Sequence, residues 1–183
     1  MSTIIHTDNL SKNFGSIYAV NKVNLNVNKG EIYGFLGLNG AGKTTTIRML
    51  LGMIRPTSGT AYLRGKKVNS KDHDLWKKVG YLVEVPYSYP DLTVKENLEI
   101  MRRLRQVDNP KAVDEVISKL KLNIYKDRKA KQLSLGNAQR LGLAKARIHN
   151  PDILLLDETS NGLDPAGIVE IPELLLDWAL NHR

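Results

Sequence analysis

The chain contains 183 residues, of which 42% are hydrophobic and 25% are charged. A chain of this length and composition can bury a core, and we expect one globular domain with room for a subdomain. The absence of cysteine excludes disulfides and thiolate metal sites. No apolar run approaches the length of about 18 residues that crosses a bilayer, and the N-terminus lacks a signal-peptide pattern, so the sequence predicts a cytoplasmic protein.

The formal net charge of +8 permits acidic partners such as nucleotides, nucleic acid or anionic lipid head groups. Most of the basic residues are scattered along the chain. The two densest groups lie at 101–105 and 126–131, and each is more typical of a solvated helix face than of a nucleic-acid patch. We therefore expect no nucleic-acid partner.

The first predicted elements are strands. Apolar residues alternate with asparagine over residues 20–30, which predicts a half-buried strand that ends at Gly30. The run EIYGFLG, residues 31–37, is apolar and rich in strand formers, and it predicts a second strand. A glycine-rich loop and then a helix follow over residues 43–54. Four apolar residues have the spacing of one face of that helix: Ile47, Leu50, Leu51 and Ile54.

The middle of the chain changes from strands to helices. Residues 60–68 predict a pair of short strands that turn near Arg64 and Gly65, and residues 79–85 predict a compact apolar strand. Residues 91–131 give helical patterns and no strand pattern. We expect a small helical subdomain here, inserted between two halves of an α/β core.

Helix signals are clearest where this subdomain begins and where it ends. Thr93 and Glu96 have the spacing of a capping box at the start of its first helix. Residues 134–148 predict another helix, and the Asn150–Pro151 turn then leads to DILLLDE at 152–158. This last run predicts a buried strand that ends in two carboxylates.

The loop GLNGAGKTT at residues 37–45 matches the pattern G-x-x-x-x-G-K-[ST]. Glycines are needed there because backbone N–H groups must wrap closely around phosphates. Lys43 would neutralise charge on the outer phosphates, Thr44 would bind Mg²⁺, and the helix that follows directs its positive end at the anion. The predicted phosphate-binding residues are Gly37, Asn39, Gly40, Ala41, Gly42, Lys43, Thr44 and Thr45.

The two carboxylates at the end of the strand 153–156 supply a second part of such a site. Ligands of parallel sheets gather at the carboxyl ends of the strands, so Asp157 is predicted to hold the Mg²⁺ shell. Glu158 is the candidate to orient or deprotonate the attacking water. Two acids at a strand end are also common turn residues, but the phosphate loop upstream favours the functional interpretation.

Four motifs in this order resemble the ATP-binding subunit of ABC transporters. They are GLNGAGKTT at 37–45, LSLGNAQR at 133–140, ILLLDE at 153–158 and SNGLDP at 160–165. The resemblance implies an α/β fold: a P-loop NTPase core of the ABC ATPase type, with an N-terminal antiparallel β subdomain and an inserted α-helical subdomain. It implies a first half-core over 1–91, the helical subdomain over 92–136 and the second half-core over 137–183.

The resemblance also assigns roles across a dimer. On its chemistry alone, Ser134 with Gly136 at a helix start is either a simple cap or an anion site. In the family these residues complete the ATP site of a second subunit, so two chains enclose two nucleotides head to tail. Phe14 lies where the family stacks an aromatic ring on adenine, and residues 161–164 match the loop that touches the partner. Lys43 and Glu158 are the implied catalytic residues.

Several positions depart from the family pattern. Glu84 replaces the usual glutamine that joins the metal site to the helical subdomain, and EVPYSYPDLT at 84–93 resembles the variant of exporters for lantibiotic self-protection and bacitracin resistance. We expect Glu84 to contact the metal and nucleotide, although a strand-end glutamate can also be simply solvated. Leu38 and Thr159 replace prolines, and we expect small effects because neither touches a phosphate-binding group.

The C-terminal segment departs further. Pro172 lies inside a run that otherwise predicts a helix beginning at Asp164 and Pro165, where it is expected to kink the helix. In the family this helix leads to another core strand and to a histidine that contacts the γ-phosphate, a role that His182 cannot fill. We therefore expect a C-terminally truncated nucleotide-binding domain with weak or no hydrolysis by itself.

The predicted function is that of a subunit that binds and hydrolyses ATP, with Mg²⁺, to energise export through a separate membrane-spanning permease. The predicted place is the inner face of the cell membrane. Two alternatives stay open. One is a soluble ABC ATPase that acts on ribosomes or DNA, and the other is a truncated remnant that binds nucleotide without hydrolysis.

Overall fold

The computed structural model describes residues 2–83, 87–157 and 165–180. Contacts divide these residues into two compact units. The first unit contains the described residues up to Trp76 together with those from Pro172 onward, and the second unit contains those of the range Lys77–Ile171. The domain boundaries expected at residues 91 and 136 stay a prediction.

The described residues form seven strands and six α-helices. The strands are β1 (Thr3–Phe14), β2 (Ile17–Val23), β3 (Asn26–Asn28), β4 (Ser58–Leu63), β5 (Lys66–Lys67), β6 (Val79–Leu82) and β7 (Ile153–Leu156). The helices are α1 (Lys43–Leu50), α2 (His73–Trp76), α3 (Val94–Leu104), α4 (Ala112–Lys119), α5 (Leu135–Arg147) and α6 (Pro165–Leu180). Two turns of 3-10 helix lie at Asn123–Tyr125 and Ala130–Gln132.

An antiparallel sheet forms the first unit. Its strand order is β2-β1-β4-β5, and β3 pairs with the first half of β1. Leu10 on β1 and Leu63 on β4 are fully buried on the face that packs inward. The predicted strand pair at 60–68 is confirmed, because β4 and β5 are antiparallel and turn at Arg64 and Gly65, both with positive φ.

The strand predicted over 20–30 is divided into β2 and β3. Thr7 on β1 explains the break, since its side chain takes the place of ladder bonds: the hydroxyl donates to the Val23 carbonyl at 2.9 Å and accepts from the Leu25 amide at 2.7 Å. Thr7 is fully buried. The predicted alternation still holds, since Leu25 and Val27 are buried, Asn24 and Asn26 are exposed, and Asn28 is half-buried.

The strand predicted over 31–37 is not formed, and this prediction was wrong. A strand needs a neighbour for its N–H and C=O groups, and none of the described strands pairs with this segment. Three of its large apolar side chains are exposed as well: Ile32, Tyr33 and, at 94%, Leu36. The run is apolar, but a strand forms only when its backbone pairs with another strand, and that pairing is not encoded in the run itself.

The helix predicted over 43–54 is α1, and it ends earlier than expected. Gly52 has a φ of 66° and lies just beyond the helix. Its amide donates to the Met49 carbonyl at 3.0 Å, and the Met53 amide donates to the Arg48 carbonyl at 2.9 Å. These two bonds form a Schellman motif, which closes the helix. Ile54 therefore follows the helix and does not continue its face.

The second unit combines a short parallel sheet with helices. β6 and β7 pair in parallel with Val79 opposite Ile153 and Leu82 opposite Leu156. Helix α5 packs on β6, and α3 and α4 pack on one another and on α5. The strand predicted over 79–85 is confirmed as far as Leu82, and its last two residues, 84 and 85, lie outside the described residues. The strand before Asp157 is confirmed in full.

The helical part of this unit begins as the sequence predicts. The Thr93 hydroxyl accepts from the Glu96 amide at 3.1 Å, and the Glu96 carboxylate accepts from the Thr93 amide at 2.7 Å. This reciprocal pair is the predicted capping box of α3. Helix α6 begins at Pro165 as predicted, and it runs through Pro172 to Leu180. Across all the described residues, we find no helix that has both the length and the apolar character to cross a membrane.

Candidate functional site

The glycine-rich loop lies in the first unit and leads directly into α1. Lys43 is the first residue of α1, and its ammonium donates to the carbonyls of Gly37 at 2.8 Å and Leu38 at 2.9 Å. The Ala41 amide donates to the same Leu38 carbonyl at 3.1 Å. The Lys43 side chain therefore binds two carbonyls of the loop, and the Ala41 amide closes a turn over residues 38–41.

Gly42 makes this loop possible for two reasons. It is the N-cap of α1 and has a φ of 85°, a conformation that residues with a Cβ rarely adopt. A Cβ at this position would lie only 2.1 Å from the carbonyl oxygen of Ala19 on β2. The loop can approach the sheet this closely only because Gly42 lacks a side chain.

The N-terminus of α1 is open to an anion. No side chain among the described residues caps it, and its first turn carries no acid. The Thr46 hydroxyl donates to the Gly42 carbonyl at 2.9 Å, so it does not occupy the free amides. The helix dipole and these amides together favour a negative group in front of the helix. Thr44 and Thr45 are half-buried at this end.

The other predicted loop residues, Asn39, Gly40 and Ala41, are exposed around the outside of the loop. Phe14 ends β1 with 53% of its surface exposed, and the Lys12 ammonium lies 5.1 Å from the centre of its ring. Phe14 therefore lies at the surface and not in the core. An exposed ring fits the predicted role of stacking on adenine.

Ser134 lies in the second unit and caps α5. Its hydroxyl accepts from the Asn137 amide at 3.4 Å and from the Asn137 side-chain amide at 3.0 Å. Gly136 lies in the first turn of the helix, and that turn carries no acid. Ser134 is exposed. The arrangement presents a hydroxyl and helix amides at the surface of this unit.

Asp157 follows β7 directly and is held at the end of the parallel sheet. Its amide donates to the Leu82 carbonyl at 2.8 Å, which continues the ladder between β6 and β7 by one residue. The side chain is only 4% exposed, and within the described ranges its Oδ2 has no hydrogen-bond partner. A buried carboxylate oxygen without a partner is costly, and it fits a ligand of a cation or of its water shell.

Magnesium suits this donor set. We find no group of three or more His, Asp or Glu side chains that could hold a metal among the residues that the structure describes. Mg²⁺ is commonly held by one or two protein oxygens, with phosphates and water completing an octahedron. The Asp157 carboxylate can therefore serve as a protein ligand of Mg²⁺ in this unit. Glu84, Glu158 and residues 161–164 lie outside the described residues, and their predicted roles stay predictions.

Two buried polar residues of this unit were missed in the sequence. Asn97 on α3 is 1% exposed, and Gln139 on α5 is 4% exposed. The Gln139 Oε1 has no partner in the described part of the chain. The signal was available for Asn97, because this amide lies between Val94 and Leu98 on the apolar face of a helix. A polar residue on such a face is expected to make specific hydrogen bonds.

The chain matches the family model for ABC transporters over residues 20–161. It is 47% identical over 175 residues to the bacitracin transport ATP-binding protein BcrA of Bacillus licheniformis, a match that covers 96% of this chain and 57% of BcrA. It is 36% identical over 172 residues to the lantibiotic transport ATP-binding protein SrtF of Streptococcus pyogenes, covering 94% of this chain and 73% of SrtF.

A solved structure agrees with these matches. The dimeric post-hydrolysis structure of the ATP-binding cassette MJ0796, bound to ADP and Pi, is 30% identical and superposes with a TM-score of 0.83. The match covers 94% of this chain and 81% of that one. The predicted fold class is therefore confirmed: this is the α/β fold of ABC ATPase cassettes, with an antiparallel β sheet and a helical part.

The chain belongs to the ABC transporter family, as one of its ATP-binding cassettes. The particular relatives that it resembles include ATP-binding proteins named for bacitracin and lantibiotic transport. It spans 57% of the length of BcrA.

Proposed function

We propose that this chain binds MgATP at the loop 37–45. We also propose that hydrolysis of this ATP energises the export of an antibiotic peptide through a separate membrane subunit. The observation that carries the proposal is the arrangement at α1. An uncapped helix N-terminus, a loop with left-handed glycines and an ammonium held beside it are complementary to a polyphosphate.

The residues of the loop would act mainly by position and charge. Lys43 would exchange the Gly37 and Leu38 carbonyls for oxygens of the outer phosphates, and the loop amides would donate to the phosphates. Thr44 and Asp157 would hold Mg²⁺, which neutralises phosphate charge when it is bound. Glu158 would orient the attacking water and accept its proton.

A second copy would complete each nucleotide site. Ser134 and Gly136 present a hydroxyl and helix amides on one surface, and these groups suit the phosphates of a nucleotide held by another chain. The dimeric state of MJ0796 bound to ADP and Pi supports this assembly. We propose a head-to-tail dimer that encloses two nucleotides.

The export role rests on the relatives. BcrA is named for bacitracin transport and SrtF for lantibiotic transport, and this chain carries a glutamate at position 84 in a segment resembling those of such exporters. We propose that the chain acts at the inner face of the membrane, bound to a permease, and that Glu84 joins the metal site to the helical part.

Calorimetry with Mg²⁺ and a non-hydrolysable ATP analogue tests nucleotide binding. We expect Lys43→Ala to weaken binding at least about tenfold, because a charge-assisted contact to phosphate is lost. Lys119→Ala is the matched control, since Lys119 is an exposed lysine at the end of α4. Equal affinities for the wild type and Lys43→Ala would refute the proposed phosphate site.

Hydrolysis and export need separate measurements. Phosphate release by the chain assembled with its membrane subunit, abolished in Glu158→Gln, would assign the water-activating role to Glu158. Bacteria that produce the chain with its membrane subunit should survive more bacitracin than bacteria that produce Lys43→Ala. If these two strains survive equally although the wild type binds nucleotide in calorimetry, the export role is refuted. The proposed ATP binding is not affected by that result.

A further inference from the structure

The segment at residues 87–92 follows β6 and is held from one side by α5. The Lys145 ammonium donates to the Tyr87 carbonyl, and it lies 3.4 Å from the Ser88 hydroxyl. Lys145 is in the last part of α5, the helix that Ser134 caps. The Lys145 side chain thus joins this helix to the start of the segment.

Lys145 is held in this contact by its surroundings. Its side chain is half-buried, and this burial lowers the pKa of the ammonium. A partly buried ammonium needs acceptors, because an uncompensated charge in such a place is costly. The Tyr87 carbonyl and the Ser88 hydroxyl supply acceptors, so the contact is the favourable state for the lysine.

The same segment is held from the other side by Asn97 on α3. The Asn97 side-chain amide donates to the Tyr89 carbonyl at 3.1 Å and to the Leu92 carbonyl at 3.2 Å. Its Oδ1 accepts from the Tyr89 amide at 2.8 Å. Further along, the Lys131 amide donates to the Pro90 carbonyl at 3.0 Å, and the Ala130 amide donates to the Leu92 carbonyl at 2.9 Å. The segment is therefore attached at Tyr87 and Ser88 to α5, at Tyr89 and Leu92 to α3, and at Pro90 and Leu92 to the turn at Ala130–Gln132.

We propose that Lys145 is a positioning residue that makes α5 and the segment 87–92 move as one body. Tyr87 lies three positions after Glu84, and α5 begins at the Ser134 cap. On the proposed function, a nucleotide that engages Ser134 would therefore displace the segment next to Glu84 through Lys145. This consequence rests on the proposed function, whereas the attachment itself does not.

Hydrogen exchange measured by mass spectrometry tests the attachment without nucleotide. In Lys145→Met, we expect the amides of residues 87–89 to exchange about tenfold faster than in the wild type, because a charge-assisted hydrogen bond at the start of the segment is lost. Lys145→Arg should restore most of the protection. Lys119→Met is the control, and its exchange in this segment should equal that of the wild type.

The same variants are then measured with Mg²⁺ and a non-hydrolysable ATP analogue. In the wild type, we expect the nucleotide to slow exchange in 87–92 and in the first turn of α5 together. In Lys145→Met, the analogue should still bind with unchanged affinity, because Lys145 is not in the phosphate loop, but the response in residues 87–89 should be lost.

Each outcome decides a definite point. Unchanged exchange of residues 87–89 in nucleotide-free Lys145→Met would overturn the attachment. An intact nucleotide response in Lys145→Met would overturn the coupling. If the wild type binds no nucleotide, the proposed function fails, while the nucleotide-free comparison still decides the attachment. Lys145→Gln, which keeps a neutral donor, replaces Lys145→Met if the latter does not fold, with the same expected direction.

Discussion

The packing of β6 on α5 gives a sharp prediction for Gly80→Ala. A Cβ at Gly80 would lie 2.1 Å from the carbonyl oxygen of Ala146 and 2.9 Å from a ring carbon of Pro151. Ordinary van der Waals contact begins at 3.4 Å, so the strand and the helix would have to separate by about 1.3 Å, which is 3.4 minus 2.1. The obstacle at Ala146 is backbone, so no side-chain rotation can relieve it.

The expected cost is at the upper end of the range for overpacked cores, about 3 kcal/mol. For a chain of this size, this corresponds to a decrease in Tm of roughly 6 to 12 °C. The disturbance should also reach Asp157, because β6 pairs with β7 and the Leu82 carbonyl accepts a hydrogen bond from the Asp157 amide.

Urea unfolding followed by far-UV circular dichroism measures this cost. Gly34→Ala is the matched control, because a Cβ at Gly34 meets nothing within 4 Å and its φ is not positive. We expect the control to stay within about 0.5 kcal/mol of the wild type. If Gly80→Ala and Gly34→Ala unfold at the same urea concentration, the close approach of Gly80 to Ala146 does not exist and the reasoning fails.

Three further predictions follow from single side chains. Asp157→Asn should stabilise the nucleotide-free chain by about 1 kcal/mol, because it replaces a buried carboxylate, one oxygen of which has no hydrogen-bond partner among the described residues, and it should abolish the effect of Mg²⁺ on nucleotide affinity; a less stable variant in urea would contradict this. Thr93→Ala should lower the free energy of unfolding by about 1 kcal/mol through loss of the α3 capping box, and an unchanged urea midpoint would count against it. Burial lowers the pKa of His149 to about 4 from its usual 6.5, so the unfolded chain binds more protons and stability should fall as the pH drops from 6.5 to 4. His149→Gln keeps a donor for the Val79 carbonyl and should reduce this loss, which urea midpoints at pH 7 and pH 4.5 would measure; equal losses would exclude His149 as the cause.

Local signals in the sequence predicted much of the fold. The capping box at Thr93, the Ser134 cap and the turn at Arg64 and Gly65 all depend on neighbours within a few residues, so their side chains state the structure directly. The strand before Asp157 was also readable, because a run of four aliphatic residues in a parallel sheet is buried on both faces.

Features that depend on distant partners could not be read in this way. The run 31–37 has the composition of a strand, but whether it pairs depends on residues elsewhere in the chain. The division between β2 and β3 depends on the hydroxyl of Thr7, which is 16 residues from Val23. Lys145 reads as one more basic residue on a helix, and only the fold brings it to Tyr87.

The ammonium of Lys43 already has two carbonyl acceptors before any ligand arrives. The binding free energy that a ligand gains from Lys43 is therefore only the difference between its own contacts with the ammonium and those of the two carbonyls. Neutral or singly charged compounds offer little advantage over these carbonyls. Selectivity for highly charged phosphates is thus set by what the lysine gives up, as much as by what the ligand offers.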